Sequence, residues 1–302
     1  MRWIVQECSA LKSKSYFELA ELIAPEDQLD QYKMLVARRL EGEPLQYVLG
    51  TWAFCGVDLQ LDRSVLIPRP ETEYLVELAL GYLDEMQLST KASNSNLEGA
   101  GLGGNVANSN LEGAGLGGNV ANDQLYIGDL GTGSGAIAIA IANSLRLRGK
   151  QEFGIVASDI SKLALETARE NARVNRVEDT IRFYESDWFE GFDSWLCRRF
   201  KLIISNPPYV SEGEFTELDK TISQWEPYQA LVAGKHGTEA IEKIVLEARN
   251  WLADDGVLIC EIGETHGAYV RDIACRCGYE RVEIIADQYG RERYLLAVHG
   301  LL

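Results

Sequence analysis

The 302-residue chain has no run approaching the roughly 18 consecutive apolar residues of a membrane-spanning helix, so a helical span is excluded. Histidine is scarce: His236, His266 and His299 are scattered, and no histidine-based metal site is expected. None of the six cysteines (Cys8, Cys55, Cys197, Cys260, Cys275 and Cys277) belongs to a CxxC pair. Cys275 and Cys277 are too close for a zinc knuckle, so buried, reduced thiols and no metal are expected. Basic charge is also short, with 29 Lys+Arg against 46 Asp+Glu and a net charge of −17. The overall positive footprint of a nucleic-acid binder is therefore missing, and the acid excess favours a basic macromolecular partner. Met1 to Ser15 mixes Arg2, Glu7, Lys12 and Lys14 with short apolar pieces and has no apolar stretch of signal-peptide length, so a cytoplasmic location is expected. Hydrophobic residues at 46% and charged residues at 25% exclude general disorder.

The organisation changes along the chain. Residues 1–43 read as a small helical domain with apolar clusters at Tyr16 to Ile23 and Tyr32 to Leu40, and with Arg38 and Arg39 on the other face. Residues 44–70 read as a hairpin linker around Gly50 to Gly56, ending in the extended Ile67-Pro68-Arg69-Pro70. A helix is expected from about Thr72 to Met86, with Glu71 and Glu73 at its positive end. Residues 89–122 hold SNLEGAGLGGNVAN twice without a change, at Ser95 to Asn108 and Ser109 to Asn122, and read as a flexible insertion. Gly99, Gly101 and Gly104 there satisfy GxGxxG, but no strand precedes them and no amphipathic helix follows, so nucleotide binding is rejected. From Leu125 strands and helices alternate, ending in an antiparallel pair at Val282 to Ala286 and Tyr294 to Val298. The class is α/β, a mostly parallel sheet with helices on both faces, which binds ligands beyond the carboxyl ends of its strands.

Four constellations fall at such ends. Asp129-Leu130-Gly131-Thr132-Gly133-Ser134-Gly135 follows a strand and opens a helix. Its GxGxG spacing, with no lysine after it, differs from pyrophosphate and Walker loops and suits the amino-acid part of S-adenosylmethionine. Asp159 ends the next strand, where a carboxylate can accept from both hydroxyls of a ribose or cap the following helix; the glycine loop before it favours the ribose. Ser186-Asp187-Trp188 ends the third strand, where carboxylate and indole can frame an adenine or serve as a cap and a core aromatic. Asn206-Pro207-Pro208-Tyr209 follows the fourth. Its prolines stiffen the backbone and donate nothing, which leaves the Asn206 side-chain oxygen and the Pro207 carbonyl as acceptors for a planar NH₂ group. An amide or aromatic amine is a poor nucleophile, and holding its hydrogens with two oxygens favours positive charge developing on its nitrogen. Tyr209 can pack on the substrate plane or on a cationic methyl donor. Alignment of the reactants supplies about 7–11 kcal/mol, and no side chain titrating near neutrality is required.

Taken together, the motifs resemble the bacterial N5-glutamine methyltransferases that modify peptide chain release factors. The resemblance runs from about Arg39 to the end, through Gly42 to Tyr47, LIPRPETE at Leu66 to Glu73, DLGTGSGAIAIA at Asp129 to Ala140, Ser186 to Trp188 and NPPYV at Asn206 to Val210. It continues in Glu226-Pro227, Glu261-Ile262-Gly263 and Asp287 to Arg293. It implies a Rossmann-like class I S-adenosylmethionine-dependent methyltransferase domain over 71–302, behind a small, shortened N-terminal helical domain. It further implies S-adenosylmethionine contacts at Gly131, Thr132, Gly133, Ser134, Gly135, Asp159, Trp188 and Asn206, and a substrate glutamine held by Asn206, Pro207, Pro208 and Tyr209. The implied substrate is the glutamine of the GGQ tripeptide of class I release factors, and Arg69 to Thr72 are expected near the cofactor. His266 stands where this family usually has glutamine. Three other readings are an exocyclic-amine methyltransferase of DNA or RNA, a glutamine methyltransferase of a ribosomal protein, and a cofactor-binding scaffold without turnover. The net charge of −17 speaks against the first, and the PETE of Pro70 to Glu73 and the intact NPPY against the others.

Overall fold

The structure, a computed structural model, describes Ile4 and residues 26–98, 125–150 and 152–300. The apolar cluster at Tyr16 to Ile23, Cys8 and the GxGxxG of the duplicated tract lie outside the described residues. No helix among the described residues is long and apolar enough to cross a membrane.

Helix α1 (Glu26–Leu40) and the short α2 (Leu45–Leu49) pack through Leu35 and Val48. Arg38 is not the free polar residue its helix face suggests. Its guanidinium forks onto the buried Glu43 carboxylate at 2.7 and 2.8 Å and donates to the Tyr47 carbonyl at 2.9 Å, tying α1 to α2. Tyr47, Val48 and Leu49, expected in the hairpin, are helical, because Gly50 at φ 73° closes the turn as a left-handed cap. The hairpin itself is β1 (Thr51–Phe54) and β2 (Val57–Gln60), in register from Thr51↔Gln60 to Phe54↔Val57. Its two turn residues, Cys55 and Gly56, both take positive φ, as a two-residue loop matching the strand twist requires.

Helix α3 (Pro70–Glu98) starts on Pro70, whose fixed φ suits the first helical position, and runs past the expected end at Met86. The first residues of the expected loop at 89–122 are therefore helical through Glu98. Strand β3 (Leu125–Leu130) leads to α4 (Ala136–Leu147), β4 (Phe153–Asp159), α5 (Lys162–Val174), β5 (Ile181–Glu185) and β6 (Phe200–Ser205). Next come a two-residue strand β7 (Val210–Ser211), three four-residue helices, α6 (Glu212–Phe215), α7 (Lys220–Ser223) and α8 (Tyr228–Leu231), and β8 (Val232–Gly234). The chain closes with α9 (Glu239–Ala248), β9 (Leu252–Glu261), α10 (Gly267–Arg276), β10 (Arg281–Ala286) and β11 (Glu292–Val298).

The large sheet has seven strands in the order β10-β11-β9-β6-β3-β4-β5, parallel except for β11, which runs against both neighbours. Strand order reverses at β3, which has β4 on one side and β6 on the other. Two apolar cores cover its faces. One joins α3, α4 and the hairpin to the sheet; the other joins α9 and α10. The Ala/Ile run of α4 has no polar face over Ala136 to Ala142 because it is buried on every side, between sheet and hairpin. Of the five described cysteines only Cys260 is buried. Cys197 and Cys275 are exposed, while Cys55 and Cys277 are half-buried, each packed at the margin of one of the two cores.

Candidate active site

Strand register builds the site. Leu130 pairs with Ser158 on β4 and with Ser205 on β6, and Ser205 pairs with Cys260 on β9. The next residue of each strand, Gly131, Asp159, Asn206 and Glu261, therefore falls in one row along the carboxyl edge of the sheet. A cavity of about 480 Å³ opens above this row, lined by Gly131, Gly133, Asp159, Trp188, Asn206 and Pro208 among others. That volume suits a cofactor-sized ligand.

Burial and hydrogen bonds set the loop. Asp129 is fully buried, and its carboxylate accepts from the Thr132 hydroxyl at 2.6 Å and the Ala138 N–H at 3.1 Å. Gly131, Gly133 and Gly135 all have positive φ, and a Cβ at Gly135 would stand 2.9 Å from Ile139. At Gly133 no atom lies within 4 Å of that position, so the backbone there faces open cavity. Asp159 accepts from the Gly133 N–H at 2.8 Å and the Ser161 N–H at 2.8 Å; Ser161, not Asp159, caps α5. Trp188 holds φ 53°, fixed by the Ser158 and Ser186 hydroxyls that donate to its carbonyl, and its indole lies against Gly131.

The comparisons with known proteins fit this geometry. Residues 1–50 match the PrmC N-terminal domain and 119–224 the Methyltransferase small domain. A release factor glutamine methyltransferase of Rhodopirellula baltica is 33% identical over 274 residues, covering 90% of this chain and 79% of the relative. That of Thermodesulfovibrio yellowstonii is 33% identical over 285 residues, covering 94% and 86%. That of Bacillus subtilis is 32% identical over 289 residues, covering 95% and 86%. The chain belongs to the release factor glutamine methyltransferase family. Among solved structures, the hMettl16 catalytic domain, in complex with the MAT2A 3'UTR hairpin 6, superposes with a TM-score of 0.53 at 12% identity, over 91% of this chain and 82% of that one. At that identity the likeness is one of fold.

In this family member the sequence-read residues divide. Gly131, Gly133, Asp159, Trp188, Asn206 and Pro208 line one cavity. Thr132, Ser134 and Gly135 are buried beneath it and fasten the loop. Thr132 holds Asp129, the Ser134 carbonyl accepts from Asn171 at 2.9 Å, and Gly135 packs on Ile139 and Ala168. Pro207 is buried, and Tyr209 turns its hydroxyl to Glu261 at 3.4 Å; neither lines the cavity. Asp187 is paired with Lys243 at 2.8 Å. Of the LIPRPETE tract, Leu66 reaches the cavity, whereas Arg69 binds Glu226 at 2.5 Å and Thr72 binds Asn206. The sequence placed Thr72 near the cofactor without a contact of its own and assigned Asp129, Glu226 and Glu261 no separate role. All four stand in motifs that carry the resemblance, but the partners of Thr72, Glu226 and Glu261 are far away in the chain. His266 sits against Gly263 and Gly237 at the start of α10, where burial lowers its pKa.

Two of these carboxyls carry a pH signature. Burial pushes Asp129 from 3.8 up to about 7 and Glu261 from 4.5 up to about 7. Across those windows the folded protein keeps protons that the unfolded chain has released, so both groups make the fold less stable as pH rises. Asp129→Asn cannot titrate. Its melting temperature minus that of the wild type is expected to increase between about pH 4 and pH 7. A pH-independent difference would contradict the assignment.

Proposed function

We propose that the protein transfers a methyl group from S-adenosylmethionine to the side-chain amide nitrogen of the GGQ glutamine of peptide chain release factors, in the cytoplasm. The observation that carries this reading is the position of Asn206 in the row with Gly131 and Asp159, on the wall of one cavity. A cofactor site and an amide-holding acceptor thus share one space. The Gly133 backbone leaves room where a side chain would stand, the half-buried Asp159 keeps lone pairs for a ribose, and the Trp188 indole offers a face to adenine. Bound there, S-adenosylmethionine supplies an electrophilic methyl carbon with a neutral thioether as leaving group.

The chain's own residues hold the acceptor. The Asn206 side-chain oxygen, on the cavity wall, accepts an N–H of the glutamine, and the prolines keep that corner from relaxing. Placing an uncharged nucleophile against a cation needs alignment rather than a general base, and the proton that the methylated nitrogen must shed passes to solvent after the transfer.

Two measurements test the reading. Labelled S-adenosylmethionine is offered with release factor, ribosomal protein or nucleic acid; label is expected on release factor, and label on nucleic acid instead would overturn the proposal. Gly133→Val places a branched side chain at the cavity, on a backbone at φ 55° that strains any β-branched residue, so melting temperature is followed alongside. The variant is expected to weaken cofactor binding roughly ten- to a hundredfold by calorimetry. Unchanged affinity would remove the cofactor from this loop.

A further inference from the structure

We infer that Thr72 and Glu261 are positioning residues that fix which way round the Asn206 amide stands, so that its oxygen and not its nitrogen faces the substrate. This deepens the proposed function and rests on it. Thr72 lies in the first turn of α3 and Glu261 at the end of β9, beside Asn206 at the end of β6. Both are shut from solvent, at 4% and 1% exposure. The Thr72 hydroxyl donates to the Glu261 carboxylate at 2.9 Å, and Asn206 Nδ2 donates to the Thr72 oxygen at 2.9 Å.

With Glu261 ionised, the direction of the chain is forced. An ionised carboxylate only accepts, so the single hydroxyl hydrogen of Thr72 is committed to Glu261. The Thr72 oxygen can then only receive a hydrogen from Asn206, and only the amide nitrogen has one to give. With the amide turned over, two oxygens would meet with no hydrogen between them. Among the described residues Asn206 Oδ1 has no hydrogen-bond partner, and Asn206 lies on the cavity wall. A reversed amide would present N–H to the substrate's own N–H and lose the acceptor on which turnover depends.

The chain also ties activity to pH. Glu261 is faced by Thr72 and Glu71 of α3, by the Tyr209 hydroxyl after β6, and by Arg293 and Tyr294 of β11. Burial outweighs the hydrogen bonds and the Arg293 charge and places its pKa at about 7. Below that value the neutral carboxyl can itself donate to Thr72. The Thr72 hydrogen is then free to turn to Asn206, and the amide is no longer held one way. Turnover is therefore expected to rise with pH through about 7.

The test measures release-factor methylation by the full chain, with cofactor binding and melting temperature alongside. Thr72→Val keeps the shape and loses the hydroxyl. It is expected to lower kcat at least about tenfold with KM for S-adenosylmethionine near wild type and a modest fall in melting temperature, while Thr72→Ser restores both kcat and melting temperature. Glu261→Gln cannot titrate and is expected to lose the rise with pH. Wild-type methylation alongside a Thr72→Val kcat within about a factor of two, no recovery in Thr72→Ser, or an unchanged pH limb in Glu261→Gln overturns the inference alone. Absence of glutamine methylation by the wild type overturns the proposed function and the inference with it.

Discussion

Asn206→Ala is expected to lower kcat for release-factor methylation by about a hundred- to a thousandfold, the range seen when one preorganised partner of a developing charge is removed. The fold should survive. Asn206 is half-buried at a strand end, and Thr72 keeps its bond to Glu261 when the amide is gone. The informative comparison is turnover against melting temperature. A large fall in kcat with little change in melting temperature places the loss at the reacting nitrogen. Full methylation by the alanine variant would mean that the Asn206 oxygen holds nothing.

Arg69→Ala is expected to cost stability. The Glu226 side chain is 1% exposed, held by Arg69 at 2.5 Å and by the Ile67 N–H at 3.1 Å. Removing the guanidinium strands a buried carboxylate, which costs about 3 kcal/mol or more. The same bonds strap the tract before α3 to the loop carrying Trp225, Glu226 and Pro227. Their loss loosens Leu66 on the cavity wall and Thr72 beneath it, so activity should fall more steeply with temperature than in the wild type. Glu226→Gln in the same chain removes the unpaired charge and is expected to recover part of the loss. Denaturant unfolding of the four proteins in the cycle measures the coupling. A loss under about 1 kcal/mol for Arg69→Ala would place the pair with ordinary surface ion pairs.

The periodic part of the molecule was legible from residue patterns. The strands and helices from Leu125 onward stand close to where alternating apolar runs place them, because a buried parallel sheet and its crossover helices leave a regular signature. The misreadings have local causes. Tyr47-Val48-Leu49 has the composition of a strand but closes into a helical turn on Gly50. The Ser/Asn-rich tract after Met86 has weak helix propensity, yet α3 runs on to Glu98. Between Asn206 and Glu239 three four-residue helices and two short strands show no period that a window of residues could reveal.

At the site, chain order and strand ends were enough to gather Gly131, Asp159 and Asn206, since in a parallel sheet the carboxyl ends share one edge. What stayed hidden was which loop residues face out. The resemblance implies Thr132 and Ser134 as ligand contacts, but the Thr132 hydroxyl and the Ser134 carbonyl are spent inside the loop. The Glu261–Thr72–Asn206 chain joins three elements distant in sequence, and no single motif contains it.

The most direct measurement is mass spectrometry of the release-factor peptide bearing Gly-Gly-Gln after incubation with the protein and S-adenosylmethionine. The peptide should gain one CH₂ carried by the glutamine side chain, at a rate that collapses in Asn206→Ala. A peptide of unchanged mass under conditions where the protein binds the cofactor, or a gain on any other residue, would contradict the central claim that the NPPY corner presents the Asn206 oxygen to a glutamine amide.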